Sequence, residues 1–162
     1  NLEAKDARDY RPLHFSALRA DVEMVSLLIQ AGVNVNVASI IGFTPLHEAA
    51  RSHVGSAVDC VDLLLKAGAA VNVEEINRWT PLDIAINRRH YRMWPLLLRA
   101  GGQINKNHGP ICYIARVHRA GGFKKYEQAH LARLTATFAP KLRLPARPAR
   151  LVAEYWGHVG FY

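Results

Sequence analysis

Eight histidines and two cysteines give this 162-residue chain its widest choice of chemistry. Imidazole and thiolate ligate zinc when they sit a few residues apart on one turn, and a histidine beside a hydroxyl, thiol or carboxylate acts as a general base. Neither arrangement is present. Cys60 and Cys112 lie far apart without ligand spacing, and His118, His130 and His158 come no closer to a zinc pattern. No nucleophile–base set and no Gly-rich phosphate loop accompanies them. His14 and His47 are 33 residues apart, and Asp83 follows after 36 more. Spacing of that length belongs to a repeating scaffold position, whereas catalysis has to be argued from the geometry of a site. No catalytic residue, metal or cofactor is expected, and the chain is read as a non-enzyme.

The residue types that dominate binding hot spots tell more. Tyr10, Phe43 and Trp79 stand four residues before His14, His47 and Asp83, with Ile40, Ile41, Ile76 and Asn77 close by. Arg51, Ser52, Asn87 and Arg88 follow downstream. An apolar row exposed on a soluble protein marks an interaction surface. The competing use of such residues is to shield turns and hold one repeat against the next. Charge supplies a second candidate. Residues 1–105 hold 11 Lys+Arg and 11 Asp+Glu, so the net charge of +8 falls in residues 106–162. There Arg116, Arg119, Lys124, Lys125, Arg133, Lys141, Arg143, Arg147 and Arg150 meet only Glu127 and Glu154. A basic patch attracts acidic or phosphate-bearing partners. Nucleic acid is one such alternative, although no reading motif accompanies the charge.

The elements that must position these residues announce themselves as a phrase that returns three times. Arg11-Pro12-Leu13-His14, Thr44-Pro45-Leu46-His47 and Thr80-Pro81-Leu82-Asp83 each open a helical apolar pattern that closes at Gly32, Gly68 or Gly101. Proline is tolerated in a helix's first turn, Thr44 and Thr80 are natural N-caps, and glycine past a helix end supplies a positive φ. In the first unit Val22, Met24, Val25, Leu27, Leu28 and Ile29 give the outer helix its apolar face. The second uses Val58, Cys60, Val61, Leu63, Leu64 and Leu65, and the third Met93, Leu96, Leu97 and Leu98. Over about 100 residues this pattern resembles the ankyrin repeat family, whose period is about 33 with a Thr-Pro-Leu-His phrase.

The resemblance implies an all-α ankyrin-repeat solenoid of helix-turn-helix repeats with β-hairpin loops. Its clear units fall at about 6–38, 39–74 and 75–106, followed by a degenerate one at 107–139 and a basic, Pro-containing tail at 140–162. It further implies that the His14 and His47 imidazoles bond backbone across neighbouring loops, and that Asn36, Asn72 and Asn105 bond the adjacent loop. By function it implies a protein-binding adaptor or scaffold that uses hairpin tips and concave groove. Departures are local. Arg11 replaces a capping Thr, Asp9 and Arg78 replace Gly, and His53-Val54-Gly55 is a three-residue insertion. Pro95 is expected past the first turn of the third outer helix, where it would kink the helix.

Gly109-Pro110-Ile111-Cys112-Tyr113-Ile114-Ala115 aligns with the repeated phrase, and residues 123–139 read as a longer helix with Phe123, Tyr126, Leu131, Leu134 and Phe138 on one side. Pro140, Pro145 and Pro148 are expected to break the chain before a short amphipathic helix at 149–158. Repeats followed by such a tail also resemble the SOCS-box substrate adaptors of cullin ubiquitin ligases. The stretch from Leu131 to Ala139 and the phrase Leu144-Pro145-Ala146-Arg147-Pro148 resemble that box's halves, with Thr135 where its elongin-contacting Cys stands. The chain begins at Asn1, as expected of a piece of a longer polypeptide. No run of about 18 apolar residues is present, so no membrane span is expected. Sparse cysteine fits a reduced, intracellular setting, and a monomer is expected.

Overall fold

The computed structural model describes residues 2–103 and 120–142. The chain divides into two compact units, residues 1–105 and 106–162. The first carries α1 (Pro12–Arg19), α2 (Val22–Gln30), α3 (Pro45–Arg51), α4 (Ala57–Lys66), α5 (Pro81–Asn87) and α6 (Trp94–Arg99). The second carries α7 (Phe123–Leu142).

Pro12, Pro45 and Pro81 are the first residues of α1, α3 and α5, where a backbone N–H would have no helical acceptor anyway. Thr80 caps α5 through its hydroxyl, which accepts the Asp83 N–H at 3.2 Å. Each inner helix turns back into an outer helix of the same unit. The inner helices α1, α3 and α5 pack side by side, and so do the outer helices α2, α4 and α6. Between the two rows lie Leu13, Leu46 and Leu82, the small Ala17, Ala49 and Ala85, and the outer-helix pairs Val25–Leu28, Val61–Leu64 and Trp94–Leu97, all buried. Full burial of one such aliphatic side chain contributes about 1.5–3 kcal/mol. An all-helical repeat stack is thus what the sequence pattern requires. The connecting loops are turns, and no strand forms among the described residues.

Pro95 corrects one expectation. If α6 began where α2 does, its first residue would be Tyr91, and Pro95 would face the Tyr91 carbonyl without an N–H to give it. The helix begins instead at Trp94, which puts Pro95 in the first turn and shortens α6 to 6 residues. Residues 88–93 become turns, and the indole Nε1–H of buried Trp94 donates to the Ala85 carbonyl at 3.0 Å. Trp94 was absent from the apolar face read from sequence, because that face was phased on a longer helix.

The first unit is covered less than the others. Met24 is 45% exposed, while Cys60 and Met93, at the same repeat position, are 0% and 3% exposed. Leu27 and Phe15 are exposed likewise, although Glu48 and Ile84, the counterparts of Phe15, are buried. In units 2 and 3 a preceding unit lies alongside these positions.

In α7, Phe123, Tyr126 and Leu131 are half-buried as the periodicity predicts, and Tyr126 stacks on His130 with ring centres 5.5 Å apart. The expected break at Pro140 does not occur, since the helix runs through it to Leu142. Proline's fixed φ is itself helical, so one lost hydrogen bond can be tolerated. The rest of the degenerate unit, with Asn105, Cys112, the later prolines and the helix at 149–158, lies outside the described residues. No helix among the described residues is long and apolar enough to cross a membrane.

Candidate partner-binding surface

Each repeat sends out a tip closed by the same local bonds. Asp6, Ser39 and Glu75 open the three tips, and their N–H groups donate to the carbonyls of Tyr10, Phe43 and Trp79 at 2.9, 2.8 and 3.1 Å. Their side-chain oxygens accept the N–H of those same aromatic residues at 2.8, 3.1 and 3.3 Å. Asp9, Gly42 and Arg78 then take φ of 60°, 81° and 61°, which reverses the chain. Successive tips are tied edge to edge. The Ile40 N–H donates to the Arg8 carbonyl at 3.1 Å, and the Ile76 N–H to the Ile41 carbonyl at 3.0 Å. The approach is close, since a Cβ on Gly42 would lie 3.1 Å from the Glu75 Cα.

Beneath the tips, His14 and His47 act as clamps. Their Nδ1 atoms accept the Arg11 and Thr44 backbone N–H at 3.0 and 3.1 Å, so the ring proton resides on Nε2. Nε2 donates to the Phe43 carbonyl from His14 and to the Trp79 carbonyl from His47, at 3.0 and 3.1 Å. Burial lowers the pKa of both imidazoles, favouring the neutral form that this pattern of bonds needs. At the third position Asp83 Oδ2 accepts the Thr80 N–H and hydroxyl, both at 2.8 Å. A carboxylate caps α5 but has no proton to donate onward. Asn36 and Asn72 hold the loops at the opposite ends of the outer helices. Each amide donates to a glycine carbonyl, Gly68 at 3.2 Å and Gly101 at 3.0 Å, and each carbonyl accepts the N–H of Ala70 or Gln103.

The aromatic row is not uniform. Tyr10 is half-buried, packs on His14 and Phe15, and its hydroxyl donates to Glu48 at 2.8 Å. Burial first and the Glu48 carboxylate next push the phenol pKa up. Glu48, wholly buried, also accepts two bonds from Arg51, from Nε at 3.0 Å and Nη2 at 2.7 Å. The Arg51 guanidinium sits 5.6 Å from the centre of the Phe43 ring, which packs on His47. Tyr10, Phe43 and Arg51 are therefore engaged within the repeats, and Ser52 is buried. Glu48 was missed by the sequence reading, and its place beside the Leu-His pair carries no local signal of burial.

What remains open to a partner on these tips includes large apolar side chains. Ile40, Ile41, Ile76 and Trp79 are 66%, 42%, 72% and 39% exposed on the second and third tips, with exposed Asn77 between them. Asn87 and Arg88 are exposed at the far end of α5. Of the basic residues, Lys124, Lys125 and Arg133 are exposed on α7, but at about 100° per residue Lys124 and Arg133 point to opposite sides. They form no single face. Arg116, Arg119, Arg143, Arg147 and Arg150 lie outside the described residues, as does the side chain of Lys141 and the Leu144–Pro148 phrase. Among the described residues no group of His, Cys, Asp and Glu could hold a metal. Burial raises the Cys60 thiol pKa to about 11, so it is an inert core group.

Residues 1–75 match the family model described as ankyrin repeats (3 copies). A comparison with curated proteins finds no match. Ankyrin repeats are in general protein–protein interaction modules. The imidazole clamps, the asparagine ladder and the paired helices carry the same repeat on past residue 75, through α5 and α6. The chain is an ankyrin-repeat protein.

Proposed function

We propose that this chain is a non-enzymatic adaptor that holds a protein partner against the tips of its second and third repeats, with the groove beside them. One observation carries the reading. Ile40, Ile41, Ile76 and Trp79 are large, apolar and exposed on two tips that a backbone bond holds together. Folding alone gives no reason for them, because the tips close through backbone and polar groups. Large aromatic and aliphatic anchors on a rigid frame lose little entropy on binding.

The test is a variant carrying Ile40→Ala, Ile76→Ala and Trp79→Ala together. A partner captured by the parent should bind the variant at least about 30-fold more weakly, the scale of hot-spot residues at 2 kcal/mol or more. Its unfolding midpoint should match the parent's, because the truncated side chains are exposed. Undiminished binding would dismiss the tips.

A further inference from the structure

The opposite end of α5 carries a cluster that the scaffold does not need. His53, from the insertion in unit 2, reaches across to unit 3, where Arg88 Nη1 lies 3.1 Å from its Nε2. Arginine has donors only, so Nε2 is the acceptor and the His53 proton resides on Nδ1. His90 meets the His53 ring edge-on, with centroids 5.3 Å apart, and its Nδ1 donates to the Ala50 carbonyl at 3.0 Å. Only that last bond is scaffolding. Across the junction of units 1 and 2 the Ser56 hydroxyl makes a comparable inter-repeat bond, donating to the Ala20 carbonyl at 2.9 Å. The junction of units 1 and 2 carries no comparable histidine pair.

Among the described residues, no ion pair compensates the charge in this corner. Arg88 spends one N–H on a neutral imidazole, and neither Arg89 nor Arg92, in the same turns, forms an ion pair. On α4, Asp59 is exposed and Asp62 pairs with Lys66, whereas the acidic side chains of α3, α5 and the third tip's opening residue are buried and engaged. Glu48 serves Arg51 and Tyr10, Glu75 serves Asn77 and its own tip, and Asp83 serves Thr80. We propose that the Arg88–His53–His90 cluster receives an oxyanion, the phosphoryl or carboxylate group of a peptide side chain lying in the groove. The remaining guanidinium N–H groups and the His53 Nδ1–H are the donors, and His90 adds a further one when its Nε2 is protonated. Burial, with His53 and Arg88 beside it, lowers the His90 pKa. A bound anion offsets that repulsion, so binding strengthens as pH falls. Since α5 spans about 10 Å, this cluster stands apart from the hairpin tips, and either reading can fail without the other.

The intact 15N-labelled chain is titrated at constant ionic strength with N-acetyl-phosphoserine amide and, in parallel, with N-acetyl-glutamate amide. The expected result is a saturable shift of the His53 and His90 imidazole signals and the Arg88 Nε–H, with a dissociation constant of about 1 mM for at least one probe. The His90 pKa should rise on saturation. Arg88→Gln and His53→Asn should each weaken binding about tenfold, a loss of about 1.4 kcal/mol, while Arg19→Gln leaves it unchanged. Which probe saturates separates phosphoryl from carboxylate. The proposal is overturned if neither probe saturates, or if shifts spread evenly over the exposed arginines as simple screening would make them.

Discussion

At the scale of single residues, backbone conformation and proton placement matter most. Ala20 ends α1 with φ 54° and ψ 37°, a left-handed cap that glycine adopts without strain. Ala20→Gly should raise stability by about 0.5–1 kcal/mol, read as a higher urea midpoint. Gly42→Ala should do the opposite by about 1–3 kcal/mol. Its φ is 81° and the new Cβ would press on the Glu75 backbone at 3.1 Å. The clamps predict a pH dependence with a definite sign. His14 and His47 have folded pKa values below the ordinary 6.5, so the unfolded chain binds protons first as pH falls. Stability is then greatest above pH 6.5 and declines as acid is added below it. Urea midpoints measured between pH 7.5 and about 5 should fall, with both imidazoles more than half neutral by NMR in the folded chain at pH 6.5. A flat profile would mean that the clamps tolerate protonation.

Among the elements, α6 is the irregular one, and proline chemistry accounts for it. The same 19-residue interval separates Leu13 from Gly32 and Leu82 from Gly101, so unit 3 has room for a full outer helix. It forms a shorter one because only a start at Trp94 keeps Pro95 in the first turn. Pro95→Ala should let the helix grow backward, with slower amide exchange at Trp94 and Pro95's successors and a stability change within about 0.5 kcal/mol. Unchanged exchange would point to the turns at 88–93, rather than to the proline, as the cause. The tips behave differently from the helices. Their closure depends on one side-chain acceptor and one positive φ each, and Asp6, Ser39 and Glu75 supply that acceptor from three different side chains, two carboxylates and a hydroxyl. No short motif could have linked those three residues in advance.

Across the whole molecule, burial separates scaffold from surface, and it divides a set that the sequence presents as one. Tyr10, Phe43 and Trp79 share a repeat position, yet Glu48 and Arg51 draw the first two inward while Trp79 stays exposed. Truncating Tyr10 and Phe43 should therefore lower the unfolding midpoint by about 1–3 kcal/mol of stability, whereas truncating Ile40 and Ile76 should not. Thermal scans of the two double variants check this, and equal losses would return the tips to a structural role. Leu13, Leu46 and Leu82, the prolines and the helix-ending glycines were legible from spacing alone, because the 33-to-36-residue period and the 3.6-residue helical period act locally. The clamps and the asparagine ladder were legible through the family resemblance. What spacing alone left hidden was Glu48 beneath Tyr10, Trp94 in the core and His53 beside Arg88, each a contact between residues 9 to 38 apart. The sequence by itself determined the repeat and its helices, since short-range sterics and periodic apolar burial settle those. Only the tertiary structure decided which members of each equivalent set face solvent, because that depends on the neighbouring unit that covers them.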